Sequence, residues 1–179
     1  MKKITLPFDS KTLTHLEAGE ELSLSGIIYT ARDQAHKRLV ALLKKRKKLP
    51  IDLKTSVIYY CGPNPGKGKF ALGACGPTTS SRMDKLTLPL LKSGLKAVIG
   101  KGRRSEEVRR GLKKTNGVYL LAPSGCGALL AKKVRNAKVV AFSDLKSEAI
   151  FKLKVCDFPV IVGINSHGKD IYDRKELQC

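Results

Sequence analysis

A chain of 179 residues is long enough for one well-buried domain and too short for two ordinary ones, so we expect a single domain over residues 1–179 with a short arm at residues 1–20. The 42% hydrophobic and 28% charged residues exclude a disordered or fibrous protein. The lack of a secretory leader, or of an apolar run of about 18 residues, predicts a cytoplasmic protein with no membrane contact.

Strands and helices alternate along the chain. Residues 21–30 are predicted as a strand, and Asp33 begins a helix in which Ala35, Leu39, Leu42 and Leu43 recur at helical spacing. Further strands are predicted at 56–61, 97–100, 118–122, 137–142, 149–155 and 160–164. Further helices are predicted at 82–93 with an interruption near Pro89, at 105–114 with Ser105 as its cap, and at 125–134. This order predicts the α/β class, with a mixed sheet and covering helices.

The formal charge of +20 raises nucleic-acid binding as a hypothesis. The densest basic run, Lys44 to Lys48, closes a predicted helix, where cations suit the negative end of the helix dipole, and the pair Arg103-Arg104 lies on another element. With 6% aromatic residues and no Trp, the chain lacks base-stacking platforms. The pattern favours a solvated basic surface, or one that faces an acidic protein partner, over nucleic-acid binding.

The five cysteines, an odd number, are widely spaced and form no CxxC pair. They are Cys61, Cys75, Cys126, Cys156 and Cys179. This spacing argues against a disulfide framework and against a self-contained zinc or cluster site. We interpret them as reduced, structural residues and expect no metal ligands in this chain.

Three loops place polar or small residues where a predicted strand ends, which is where α/β proteins build sites. In the first loop Arg32 stands beside a helix N-terminus, where free N–H groups favour an anion. Its guanidinium could bind a carboxylate with two hydrogen bonds, or it could form a surface ion pair. His36 lies one turn into that helix and is a possible site residue, although a packed histidine is the simpler interpretation.

The second loop, residues 61–84, is rich in Gly and Pro and does not match the GxxxxGK[ST] phosphate motif. It delivers hydroxyl residues, among them Thr78, Thr79 and Ser80, and then Arg82, to a helix start. Hydroxyls, free N–H groups and a guanidinium would together bind an anion. The alternative is that Thr78, Thr79 or Ser80 simply caps the helix.

The third loop places Lys101 between two glycines, which allow a ligand to approach closely. Arg32, Arg82 and Lys101 thus stand at three strand-to-helix junctions, with Thr78 and Thr79 nearby, and this set suits a small dianion. The loops contain no catalytic pair of carboxylates, no Cys/His constellation and no metal-ligand cluster. The sequence therefore predicts binding groups without a complete catalytic apparatus.

At the same residues the sequence resembles the C-terminal domain or beta subunit of class I fumarate hydratases and the related L(+)-tartrate dehydratases. The matching pieces are SGIIYTARDQAH, YYCGPNP, GACGPTTSSRMD, VIGKG and EAIFKLKVCDFPVIVGINSHGKDIY. They span nearly the whole chain in the order found in the family. The resemblance implies a swivelling α/β domain that closes over a [4Fe–4S] cluster carried by a partner alpha subunit, in a hetero-oligomer.

The resemblance also implies roles for individual residues. Arg32, Arg82 and Lys101 look like the ligands of the substrate carboxylates, Thr79 like a further substrate-binding residue, and Thr78 like the catalytic residue that transfers a proton. A threonine hydroxyl is a poor base without a neighbour that accepts its proton, and the sequence offers no such neighbour.

Two alternatives remain open at this stage. The substrate could be fumarate and L-malate or L(+)-tartrate, because the contacts that separate these dicarboxylates are not legible in the sequence. A basic nucleic-acid-binding module, suggested by the charge alone, would bind unrelated nucleic acids with a steep dependence on salt.

Overall fold

The computed structural model describes residues 1–66 and 71–173, which form one mixed sheet with helices packed on it. Its strands are β1 (Lys2–Thr5), β2 (Glu21–Thr30), β3 (Val57–Tyr59), β4 (Ala97–Gly100), β5 (Val118–Leu121), β6 (Val134–Ala141) and β7 (Ile150–Ile164). Its α-helices are α1 (Ser10–Thr14), α2 (Asp33–Lys44), α3 (Asp84–Lys92), α4 (Glu106–Thr115) and α5 (Gly127–Lys132). Short 3-10 helices occupy Ser80–Met83, Ser143–Glu148 and Ile171–Asp173. The predicted α/β class with a mixed sheet is confirmed.

The sheet closes on itself through β7. Strands β2, β3, β4 and β5 lie side by side and parallel in that order. Strand β7 runs antiparallel to both β5 and β2, so these five strands form a closed ring. Strand β1 joins β2 outside the ring and β6 joins β7. Because β2 to β5 are parallel, their carboxyl ends meet at one edge of the ring.

Strand β7 corrects the prediction of two strands at 149–155 and 160–164. The structure has one continuous strand, which crosses the intervening residues through a bulge at Asp157, whose φ is +53°. Side chains of β2 satisfy the polar groups that the bulge removes from the ladder. The Asp157 N–H donates to Ser25 Oγ at 3.1 Å, and Ser23 Oγ donates to Asp157 Oδ1 at 3.1 Å. The bulge therefore bends the strand without ending it.

The two faces of the ring bury two separate apolar clusters, as the alternation of side chains along a strand requires. On β3, Val57 and Tyr59 point into the ring, while Ile58 packs beneath the helices. Leu39 of α2 and Leu90 of α3 belong to this second cluster and are fully buried. Packing of α2 and α3 against the ring fixes where their first residues lie at the carboxyl edge.

Helix α3 runs through Pro89 without the interruption that was predicted there. Leu90 and Leu91, just beyond the proline, are buried, and the N–H of Ser93 still bonds to the carbonyls of Pro89 and Leu90. Burial on the ring thus outweighs the one hydrogen bond that the proline removes. At α4 the predicted cap is confirmed, because Ser105 Oγ accepts a hydrogen bond from the Val108 N–H at 3.4 Å.

Residues 1–20, predicted as a short arm, contain β1 and α1. Leu6, Leu13 and Leu16 of this segment are buried against the inner face of the ring. Among the described residues, no helix is long and apolar enough to cross a membrane. Four of the cysteines are free thiols, namely Cys61, Cys75, Cys126 and Cys156, and Cys179 lies outside the described residues.

Candidate functional site

The three predicted loops meet at the carboxyl edge of the ring. The N–H of Ala31, after β2, donates to the carbonyl of Tyr59 in β3 at 3.0 Å, and the N–H of Tyr60 donates to Ile99 in β4 at 2.8 Å. The N–H of Thr78 then donates to the Tyr60 carbonyl at 2.8 Å, which ties the second loop to the end of β3. Backbone hydrogen bonds therefore set the spacing of the loops before any side chain is considered.

Arg32 lies between β2 and α2 with 28% of its side chain exposed. Its Nε is 3.2 Å from Asp33 Oδ2 and 3.6 Å from Glu148 Oε1. Gly62 packs directly against the arginine, because a Cβ at that position would lie 3.0 Å from Arg32 Cδ. Glu148 was not anticipated, since it precedes β7, which the sequence does not place beside this edge.

Arg82 contacts the residue to which the resemblance gives the proton-transfer role. Its Nη2 donates to Thr78 Oγ1 at 2.7 Å and to Asp33 Oδ2 at 3.2 Å. A guanidinium cannot accept a proton, but its positive charge stabilises negative charge on the threonine oxygen. The structure therefore supplies a partner for Thr78 that favours loss of its proton, although this partner is not a base.

The loop after β4 lies against the residues that follow Thr78. The N–H of Ser80 donates to the Lys101 carbonyl at 3.1 Å, the N–H of Lys101 donates to Ser80 Oγ at 3.0 Å, and Thr79 forms a parallel bridge with Lys101. Thr79 is exposed and Lys101 is partly exposed. Within residues 1–66 and 71–173, neither the Thr79 hydroxyl nor the Lys101 ammonium has a hydrogen-bonding or ion-pair partner, so both are available to a ligand.

The capping interpretation of the hydroxyl residues is wrong. The 3-10 helix Ser80–Met83 begins after Thr79, and no side chain caps it. Helix α3, which follows it, also has no side-chain cap. The Thr78 hydroxyl instead accepts a hydrogen bond from Arg82, and the Ser80 hydroxyl bonds to the backbone of Lys101. These side chains join the loops to one another across the edge of the ring.

A buried arginine lies behind this edge and was missed in the sequence. Arg104, predicted with Arg103 as part of a solvated basic pair, has a fully buried side chain. Its Nε donates to Asp84 Oδ1 at 2.7 Å, and its guanidinium carbon lies 5.2 and 5.0 Å from the ring centres of Tyr60 and Tyr119. The prediction of a solvated pair is therefore wrong for Arg104. Its charge can be buried because two tyrosine faces and a carboxylate compensate for the loss of water.

This buried cluster extends to the site through the hydroxyl of Tyr119. That oxygen lies 3.0 Å from Ser80 Oγ and 2.9 Å from the carbonyl of Gly102. Asp84 also accepts the Ser105 N–H at 2.7 Å, which holds the end of the third loop. Arg104 and its partners therefore hold the loop that carries Lys101 against the segment that carries Thr78 and Thr79.

Gly100 ends β4 where this packing leaves no room for a side chain. A Cβ there would overlap Ser80 Oγ and lie 2.9 Å from Tyr60 Cδ2. We expect Gly100→Ala to lower the free energy of unfolding by about 1–3 kcal/mol, as overpacking of a core does. Urea unfolding measures this, with Gly76→Ala as the control because a Cβ at Gly76 has its nearest neighbour at an ordinary 3.5 Å. Equal stability of the two variants would contradict the predicted clash.

His36 lies beneath the site and is fully buried. Its Nδ1 is 3.2 Å from the Arg32 carbonyl, its ring packs edge-on against Tyr60, and its Nε2 has no hydrogen-bond partner among the described residues. Burial lowers the pKa of His36 to about 4, with a smaller opposing effect of its hydrogen bond to Arg32. The residue is therefore neutral at pH 7 and supports the backbone of Arg32 from below.

Protonation of His36 is expected to destabilise the fold in acid. Its pKa in the folded chain, about 4, lies below the ordinary value of 6.5, so between these values the unfolded chain binds a proton that the folded chain does not. Stability is therefore lost as pH falls through this window, by up to roughly 3 kcal/mol. Urea unfolding at pH 7 and pH 4 should show a smaller loss for His36→Gln than for the wild type, and equal losses would contradict this account.

The described residues contain no group of three His, Cys, Asp or Glu side chains that could hold a metal ion. Cys61 and Cys75 are buried, and burial raises the pKa of each thiol, that of Cys75 to about 11. An iron-sulfur cluster is held by several cysteine thiolates, and two cysteines with no third ligand beside them among the described residues do not supply such a set. These residues do not fit an iron-sulfur cluster.

The described chain is thus an α/β domain whose closed ring presents cationic and hydroxyl side chains at one edge. The sequence model of the Fumarase C-terminus family matches residues 1–175, and the chain belongs to this family. The resemblance stated from the sequence motifs is confirmed.

Curated relatives of the chain include tartrate dehydratase beta subunits and fumarate hydratases. The chain is 40% identical over 169 residues to the "Putative L(+)-tartrate dehydratase subunit beta" of Methanocaldococcus jannaschii, with 91% of this chain and 87% of the relative covered. It is 33% identical over 184 residues to the L(+)-tartrate dehydratase subunit beta of Escherichia coli (strain K12), with 99% and 90% covered. It is 36% identical over 165 residues to fumarate hydratase 2 of Leishmania major, and this match covers 90% of this chain but 29% of the relative.

Proposed function

We propose that this chain is the beta subunit of a hydro-lyase that interconverts fumarate and L-malate, and that it supplies binding and proton-transfer groups to a site shared with an alpha subunit. The observation that carries the proposal is the contact of Arg82 with Thr78 and with Asp33, which also contacts Arg32. This arrangement gathers cations and a threonine with a stabilised oxygen at one open edge, as chemistry on a small dicarboxylate requires.

Each side chain has a distinct part in this proposal. Arg32 binds one substrate carboxylate through N–H groups of its two terminal nitrogens, Arg82 donates to substrate from Nη1, and Lys101 adds a point charge for the second carboxylate. Thr79 donates its exposed hydroxyl to the substrate. Thr78 transfers the proton, helped by the Arg82 guanidinium, which stabilises the oxygen when it is deprotonated.

The remaining groups belong to a partner in this proposal. Two relatives carry the words "subunit beta" in their names, which supports a second subunit. We assign a [4Fe–4S] cluster to the alpha subunit, because the described residues of this chain do not fit one. When bound there, the cluster supplies Lewis-acid polarisation of the substrate hydroxyl. The assembly is then a cytoplasmic hetero-oligomer.

L(+)-tartrate dehydration is the second candidate function. It is supported by similarity, since the chain is 40% identical to the relative from Methanocaldococcus jannaschii, named as a tartrate dehydratase beta subunit, and 36% identical to the Leishmania fumarate hydratase. The two substrates are both dicarboxylates, so the same carboxylate ligands would serve either. The groups that contact the additional hydroxyl of tartrate would decide between them.

The test is an anaerobic co-expression of this chain with an alpha-subunit homologue from the same organism, followed by assays with fumarate and with L(+)-tartrate. Turnover of fumarate by the complex, and by neither chain alone, is the expected result. Preference for tartrate would select the second candidate and keep the residue roles. A formed complex with an intact cluster and no turnover of either substrate would overturn both candidates.

A further inference from the structure

Asp33, the first residue of α2, bridges the two arginines of the site. Its Oδ2 is 3.2 Å from Arg32 Nε and 3.2 Å from Arg82 Nη2, although Arg82 is 49 residues further along the chain. Among the described residues it is the carboxylate that contacts both arginines, since Glu148 reaches only Arg32. The family resemblance gives Asp33 no role. The contact also differs from an ordinary surface ion pair, because one carboxylate oxygen contacts two guanidinium groups.

The atoms used in the bridge leave particular edges of both guanidinium groups open. On Arg32 the contact is made by Nε, so both terminal nitrogens are without partners within residues 1–66 and 71–173. On Arg82 the contact is made by Nη2, whose two hydrogens serve Asp33 and Thr78. The bridge therefore orients each planar group and leaves Nη1 of Arg82 and the terminal nitrogens of Arg32 without hydrogen-bond partners among the described residues, so they can donate to a ligand.

The carboxylate remains ionised while it does this. Burial raises the pKa of Asp33, but its own backbone N–H, the hydrogen bond from Arg32 and the charges of Arg82 and Arg32 outweigh burial and hold the pKa below its ordinary value. The negative charge of Asp33 lies between the two arginines that are proposed to bind substrate carboxylates, so it also opposes the binding of a dianion. Asp33 thus improves the geometry of the site and weakens its attraction for the substrate.

We propose that Asp33 is a positioning residue that aligns Arg32 and Arg82 and holds Arg82 on Thr78, without itself contacting substrate. The inference rests on the proposed function for its kinetic consequence. Held guanidinium groups lose less freedom when they bind the transition state, so removal of the bridge slows the reaction. Removal of the negative charge at the same time favours substrate binding, so the substitution is expected to lower kcat without raising KM.

The kinetic test compares Asp33→Asn, Asp33→Glu and Asp144→Asn in the assembled alpha–beta enzyme. Asp144 is the matched control, because its exposed carboxylate pairs with Arg38, which lies on α2 as Asp33 does. We expect Asp33→Asn to lower kcat by roughly tenfold or more with KM unchanged or lower, Asp33→Glu to recover part of the loss, and Asp144→Asn to behave like the wild type. An Asp33→Asn enzyme with wild-type kcat, or with loss expressed only as a higher KM, would overturn the proposal.

A second measurement separates this inference from the proposed function. In nitrogen-15 NMR spectra of the full chain without its partner, the bridge restricts rotation of the Arg32 and Arg82 guanidinium groups. Asp33→Asn is expected to shift both Nε–Hε signals and release that restriction, while the melting temperature stays within a few degrees. Unchanged arginine signals in Asp33→Asn would contradict the bridge, whatever the activity of the complex. A wild-type complex that turned over neither substrate would overturn only the proposed function.

Discussion

Replacement of Arg82 by alanine is expected to lower kcat/KM of the assembled enzyme by about a hundredfold or more. The substitution removes the hydrogen bond to Thr78 Oγ1 and, in the proposed function, a second one to a substrate carboxylate, and each charge-assisted hydrogen bond contributes about 1.5–3 kcal/mol. The folded chain should hardly change, because 47% of the Arg82 side chain is exposed and its ion pair with Asp33 lies at the surface. Steady-state kinetics and urea unfolding of the same preparation measure both effects.

Two further variants show whether shape or charge matters at this position. Arg82→Lys keeps the charge but loses the planar fork, so it should recover only a small part of the activity. Arg135→Ala removes an equal charge from an exposed position on β6 and should leave kcat/KM unchanged. Wild-type activity of Arg82→Ala would refute the proposed role of this edge of the ring.

Replacement of Arg104 by methionine is expected to produce the largest loss of stability, about 3–5 kcal/mol in the free energy of unfolding. The substitution leaves Asp84, whose side chain is only 13% exposed, without its ion pair, and removes the donor to Thr87 Oγ1 at 3.0 Å. Methionine fills much of the same volume, so the loss is due to uncompensated polar groups and not to a cavity. Urea or thermal unfolding of the isolated chain gives the value.

The neighbouring arginine supplies the control for this experiment. Arg103 is exposed, with its guanidinium over the ring of Tyr172, so Arg103→Ala should change stability by less than about 0.5 kcal/mol. If Arg104→Met were equally mild, the buried ion pair would not hold the third loop as described. A partial loss of activity in Arg104→Met at a temperature where the chain is folded would further indicate that Lys101 has moved.

Local patterns were sufficient to predict most strands and helices, because polar and apolar residues alternate with the periods of those elements. The turn of the chain into α2 at Asp33 and the cap at Ser105 follow from chemistry within a few residues. The closure of the ring could not be predicted in this way. It depends on β7 pairing with β2 and β5, which lie far from it in the chain.

The site was partly legible for the same reason. Arg32, Arg82 and Lys101 can be predicted as candidate site residues because each lies beside a predicted strand or helix boundary, where α/β proteins commonly place binding side chains. The bridging role of Asp33 and the burial of Arg104 were missed, since each depends on contacts between loops whose relative positions the sequence does not reveal. Arg104 in particular looks like its exposed neighbour, because both are arginines that precede a helix.

The closed ring has a consequence for how the chain is made in the cell. Strand β7 follows the other described strands in chain order, so β2 and β5 keep unpaired edges until residues 150–164 have left the ribosome. Pairing of Glu21 with Ile161 joins distant parts of the chain, which slows folding, and unpaired edges promote aggregation during that interval. The yield of native protein is therefore expected to depend on how quickly β7 docks, and conditions that slow aggregation during synthesis should raise that yield without altering the native state.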